Sequence, residues 1–188
     1  MMPTIAEALK EQTAAQHQAA EDSLVPRISG IRSVADYASI LHTFYGFFQP
    51  LSDLIRKHIH PDHLPDIHER RTSELIIRDL STLNLPVNNL PRTTSLPDIS
   101  SAAQAFGALY VMEGSTLGGR VIRKMLLQHP GLKLGEEALN FFDGYGSETG
   151  PRWLSFQKAL NQQPDAGPII SAAKETFTHF KNWINKTV

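Results

Sequence analysis

The residues best suited to joint chemistry are one histidine and a set of glycines. His17 lies in KEQTAAQHQAAE, residues 10–21. At about 100° per residue on a helical wheel, Lys10, Thr13, Ala14 and Glu21 share its face. The imidazole is thus flanked by small side chains, with one cation two turns away. Such a histidine can ligate a metal through one ring nitrogen while a second group holds the other. The alternative is an ordinary surface or core histidine of an amphipathic helix.

The glycines are Gly107, Gly114, Gly118 and Gly119, within a stretch that otherwise reads as one helix. Each interior glycine costs about 1 kcal/mol against alanine. Gly107, Gly114 and Gly118 fall within about 20° of one line on the wheel. Gly119 widens the bare zone. Three readings explain such a stripe: close packing of a neighbouring helix, a local break in which GSTLGG is a loop, or a flat ligand lying directly on exposed main chain.

Helical periodicity supplies the elements that must position these residues. Thr4 and Glu7 form a capping-box pattern, predicting a helix from there to about Ser23, before Pro26. Val34, Tyr37, Leu41, Phe44, Phe48, Leu51 and Ile55 recur at three- and four-residue steps, one buried stripe on a long helix begun at Ser33 and Asp36. Pro50 predicts a kink or break within it. Further helices are expected near 66–82, 99–128, 135–142, 151–161 and 168–185. LNLPVNNLPRTTSLPD reads as a loop. No stretch alternates well enough for a strand. The expected fold class is all-α, a single-domain multi-helix bundle of seven or so helices spanning residues 1–188.

Composition narrows the function classes. Lys plus Arg is 18 and Asp plus Glu is 19, without the basic excess of a nucleic-acid footprint. Cysteine is absent, which excludes disulfides, thiolate metal sites and thiol nucleophiles. No apolar run approaches the ~18 residues of a membrane span, and MMPTIAEALKEQ does not read as a secretory signal. The expectation is a cytoplasmic protein that binds neither nucleic acid nor membrane. KHIHPDHLPDIH groups His58, His60, His63 and His68, but its prolines and irregular spacing read as a solvated turn. The basic runs at 69–71 and 120–124 read as solvated faces.

Two motifs resemble those of the heme oxygenase family. LKEQTAAQHQAAE, 9–21, is similar to the family's proximal helix, and GALYVMEGSTLGGRVI, 107–122, to its distal helix. GPRWLSFQKAL, 150–160, resembles the C-terminal region of the short bacterial members that make biliverdin. The resemblance implies an all-α fold and the opening of heme, as substrate and cofactor, with O2 as co-substrate and electrons from an external reductase or ferredoxin. The products are biliverdin, ferrous iron and carbon monoxide. A bacterial phytochrome is the implied acceptor of the pigment. A heme-binding carrier, store or sensor is the alternative.

Carried over by motif, His17 becomes the proximal iron ligand, with Ala14 and Glu21 beside it. Gly114 and Gly118 become distal contacts, joined by Gly119 and, as a catalytic polar group, Ser115. Lys10 matches a position that pairs with a heme propionate; Arg152 and Lys158 are further candidates. Phe156 and the Phe47/Phe48 pair are candidate pocket walls. Two positions depart from the animal-type members: Ser115 stands where those carry a water-ordering aspartate, and Phe48 roughly where its tyrosine partner lies.

Overall fold

Capping chemistry sets the first element. The Thr4 hydroxyl accepts from the Glu7 N–H at 3.3 Å, and the Glu7 carboxylate accepts from the Thr4 N–H at 2.7 Å. The structure, a computed structural model, describes residues 3–187. Among these the chain forms eight α-helices and no strand: α1 Ile5–Gln12, α2 Ala14–Ser29, α3 Val34–Ile55, α4 Glu74–Thr82, α5 Ala102–Leu127, α6 Asn140–Asp143, α7 Thr149–Leu160 and α8 Ala166–Lys186.

The first expected helix divides at Thr13, whose hydroxyl donates to the Leu9 carbonyl at 2.7 Å in competition with the helical ladder. The ladder resumes at once, since the His17 N–H donates to the Thr13 carbonyl at 2.9 Å. Helix α2 then passes Pro26 instead of ending before it. Burial of Ile28 offsets the lost hydrogen bond, as do the bonds of Arg27 to the Ile184 carbonyl and to Thr187 beyond α8. Helix α3 begins at the expected Ser33–Asp36 capping box and is unbroken at Pro50, because Leu51 and Ile55 beyond it are fully buried. The element expected at 66–82 starts later: residues 67–69 form a single 3-10 turn, and α4 follows from Glu74. Residues 83–98 are the expected loop, turned by left-handed Asn84 and Asn89.

Helix α5 is the axis of the bundle. It packs extensively on α8 and also meets α3, α6 and α7, while α2 lies along α8. The four glycines do not break it. Phe44, Phe48, Phe141, Phe142 and Phe180 form one aromatic cluster at its centre, with ring centroids 5.2–6.1 Å apart across their direct contacts. Asp79 anchors the start of the helix that carries Phe141 and Phe142. Its buried carboxylate accepts from the N–H groups of Asn140 and Phe141, both at 2.9 Å, and so ties α6 to α4.

Candidate functional site

A slot opens between α1–α2 and α5, in two adjoining chambers of about 670 and 370 Å³. His17, Glu21, Val111, Ser115, Gly118 and Phe177 line both. The outer chamber is the polar one, bordered by Glu7, Lys10, Thr13, Tyr110, Gln157 and Asn161. The inner chamber is walled by the aromatic cluster together with Leu24, Ile28 and Met125.

His17 stands on the α2 wall. Its side chain keeps 54% exposure, its Nε2 lies 3.3 Å from a Glu21 carboxylate oxygen, and its ring leans on Phe177 at 5.3 Å. The imidazole is thus steadied on one side and free on the other.

The glycines divide into two kinds. A Cβ on Gly107 would meet the Ile169 carbonyl at 2.1 Å, and one on Gly119 would meet the Phe142 carbonyl at 2.9 Å. Both permit close helix approach, the first reading of the stripe, and Gly119 in addition lines the inner chamber. A Cβ on Gly118 would meet nothing within 4 Å, and one on Gly114 only the edge of Trp153 at 3.9 Å. Packing does not explain these two. Both line the slot, where they leave main chain bare facing the wall that carries His17.

Other expected site residues lie elsewhere. Ala14 is exposed and off the slot, because the kink at Thr13 turns the threonine inward instead. The Arg152 guanidinium is engaged by Asp66 at 2.7 Å and Glu69 at 2.8 Å, away from the lining. Lys158 is exposed on α7 and also off the slot. Phe156 is fully buried between Phe106 and Trp153, at 6.1 and 5.7 Å, as core. Phe47 is core as well, whereas Phe48 reaches the inner chamber. Lys10 is therefore the one cation bordering the outer chamber among the described residues.

The run at 69–71, read as solvated from sequence, is mostly buried: Arg70 is 3% and Arg71 8% exposed. Arg70 donates to Glu113 at 2.7 Å and to Asp66 at 3.0 Å. The Tyr145 hydroxyl donates to the second Glu113 oxygen at 2.8 Å. Burial, then the neighbouring Glu113 charge, pushes the Tyr145 hydroxyl well above its ordinary range, which keeps it a donor. Arg71 donates to the Phe141 and Met112 carbonyls and to Ser115 Oγ, which itself donates to the Met112 carbonyl at 2.6 Å. Two signals pointed to these arginines: Asp66 stands four residues before Arg70, and Glu113 is a lone carboxylate in an apolar run that requires a buried cation.

His60, His63 and His68 are exposed and His58 is half-buried around the turn, and no described group of three or more His, Asp or Glu side chains is placed to hold a metal ion. No helix among the described residues is long and apolar enough to cross a membrane.

Residues 3–186 match the family described as Heme oxygenase. A heme oxygenase of Xanthomonas campestris pv. campestris (strain 8004) is 37% identical over 116 residues, which are 59% of this chain and 66% of that protein. The match thus spans just under two thirds of that curated relative's length. The crystal structure of the NO- and CO-bound heme oxygenase from Neisseria meningitidis shares the fold, with a TM-score of 0.79 over 99% of this chain and 92% of that one, at 23% identity.

Proposed function

The chain belongs to the heme oxygenase family, and on that premise we propose that it opens heme with O2 and external electrons to give biliverdin, ferrous iron and carbon monoxide. The observation that carries the reading is that His17 and the bare glycines Gly114 and Gly118 line one slot from different helices. The residues present fit a flat, mostly apolar ring with charged carboxylates at one edge. A half-exposed imidazole offers a nitrogen donor on one wall. Backbone without side chains leaves room on the other. Aromatic residues close the inner end, and Lys10 stands at the polar outer chamber.

When bound, heme supplies the redox chemistry of its iron, and the protein supplies orientation and electrostatics. His17 would hold the iron through one ring nitrogen, while Glu21 steadies the imidazole. Lys10 would pair with a propionate and so help to orient the ring; Thr13, Tyr110, Gln157 and Asn161 would add neutral polar contacts at that edge. Gly114 and Gly118 allow close approach to main chain and leave no acidic or basic side chain of α5 against that face. The phenylalanines of the inner chamber would give the other edge an apolar wall. Electrons come from a separate reductase or ferredoxin, and a bacterial phytochrome is a suitable acceptor for the pigment. The absence of cysteine suits a cytoplasmic setting.

A second reading, a heme carrier, store or sensor without turnover, draws on Ser115, whose only proton is committed to the Met112 carbonyl. One experiment separates the two. Purified protein loaded with hemin is given O2 and a reductase system. Loss of the heme absorption band with appearance of a green pigment and carbon monoxide supports the enzyme; a complex that is reduced and reoxidised without pigment supports the carrier.

A further inference from the structure

The inner chamber contains a charged group that heme binding as described above leaves without a role. Arg71 is 8% exposed and lines this chamber beside Ser115. Its guanidinium donates to the Phe141 carbonyl at 3.1 Å, the Met112 carbonyl at 3.0 Å and the Ser115 hydroxyl. It lies over the Phe141 ring, 4.4 Å from the centroid. None of these partners is charged. The adjacent Arg70 differs, since Glu113 and Asp66 both bind it directly. Glu113 acts on Arg71 electrostatically, but its two oxygens are taken by Arg70 and Tyr145.

A buried cation without a directly bonded carboxylate costs on the order of several kcal/mol unless something else compensates it. A guanidinium has five N–H donors and no acceptor. Three of them are used within the described residues, which leaves two. Ser115 has one proton, and it goes to the Met112 carbonyl. The Ser115 hydroxyl therefore has only lone pairs left to offer. Of the polar side chains lining the inner chamber, His17, Glu21 and Ser29 belong to α2; the others are Ser115 and Arg71, and of those two only Arg71 retains donors. Its placement is also rigid. The Arg71 N–H donates to the Tyr145 hydroxyl at 2.7 Å, so the charge is held in place before any ligand arrives.

We infer that Arg71 is the anion-addressing residue of the slot: it stabilises negative charge on a small group bound between the glycine wall and His17, and it orients the Ser115 hydroxyl as an acceptor. The inference rests on the heme reading. It assigns to a residue from the segment before α4 the electrostatic part that Ser115 was expected to play from α5.

The test uses azide as a small anionic probe. The full chain is loaded with hemin in its ferric state and azide affinity is read from the absorption spectrum, for wild type, Arg71→Met, Arg71→Gln and Ser115→Ala. A charge-assisted hydrogen bond predicts that Arg71→Met and Arg71→Gln weaken azide binding by about tenfold or more. Ser115→Ala is expected to stay within about threefold of wild type, because the cation remains. Arg71→Gln can keep some of the carbonyl bonds and supplies the comparison if Arg71→Met does not fold. A folded Arg71 variant that binds hemin normally and azide within twofold of wild type overturns the inference. A wild-type chain that does not take up hemin overturns the heme reading itself, which is a separate outcome.

Discussion

Adding one methyl group to different glycines of α5 is predicted to give opposite results. At Gly118 a Cβ meets nothing within 4 Å, so the fold has no objection to alanine there. Gly→Ala in a helix interior is worth about 1 kcal/mol, and a chain of this size gains roughly 2–4 °C in Tm for that amount. The ligand-free Gly118→Ala protein is therefore expected to melt higher than wild type. The same methyl projects into the slot, where overpacking against a bound ring costs about 1–3 kcal/mol. Hemin affinity is expected to fall by about tenfold, and further for Gly118→Leu. Gly107→Ala is the control in the opposite sense. Its Cβ would lie 2.1 Å from the Ile169 carbonyl, which must move together with α8. That variant is expected to lose about 1–3 kcal/mol of stability, read as a lower urea midpoint with an unchanged slope. The assays are thermal or urea unfolding of the ligand-free chain and hemin titration by absorbance. A Gly118→Leu variant that is stable and binds hemin as tightly as wild type would refute the claim that a ligand lies on this stretch of backbone.

Three further outcomes are expected. Lys10→Glu weakens hemin binding several-fold, more so at low salt, whereas Arg152→Ala leaves it within twofold because Arg152 is turned toward Asp66 and Glu69; equal losses in a titration of both variants would contradict the placement of Lys10 at the slot. Asp79→Ala strands the N–H groups of Asn140 and Phe141 and lowers the unfolding free energy by about 2–4 kcal/mol; a urea midpoint indistinguishable from wild type would contradict that role. Burial holds the His42 imidazole below its ordinary pKa, and its Nε2 has no partner among the described residues. The unfolded chain therefore binds the proton more readily, so this contribution to stability is fully present above the unfolded value of about 6.5 and is lost progressively as pH falls from there through the lower folded value. Replacing His42 with Leu should flatten the fall in urea midpoint on the acid side; a slope unchanged by the substitution would remove His42 from that role.

Much of the fold was legible because local signals and burial agreed. The Thr4–Glu7 and Ser33–Asp36 boxes mark helix starts, and the stripe from Val34 to Ile55 is core along its buried positions. The misplaced boundaries occur where tertiary contacts overrode a local rule. Proline ends neither α2 nor α3, since buried residues beyond Pro26 and Pro50 hold the helix. Within the slot, wheel geometry grouped His17, Glu21 and Lys10 on one face and Gly114 and Gly118 on another, and only the family resemblance set those two faces around one cavity. The wheel could not sort the glycines, because whether a Cβ meets the Ile169 carbonyl or empty space depends on what α8 does far away in the chain. It missed Arg71 for the same reason. A basic dipeptide in a connecting segment looks solvated until Glu113, Tyr145 and Met112 are seen to surround it. Arg152 and Phe156 were drawn toward the slot by motif alone, and carboxylates in one case and aromatic packing in the other hold them elsewhere.

The central claim is that the His17 imidazole holds a heme iron against the bare main chain of α5. Its most direct test is a hemin titration of wild type and His17→Ala, with free imidazole added to the variant. His17 is half-exposed, so the ligand-free variant should fold as wild type does. The prediction is a one-to-one complex with an intense heme band for wild type, a weakened and shifted band for His17→Ala, and recovery on addition of imidazole. Identical spectra and affinities for the two proteins, with no response to imidazole, would contradict it.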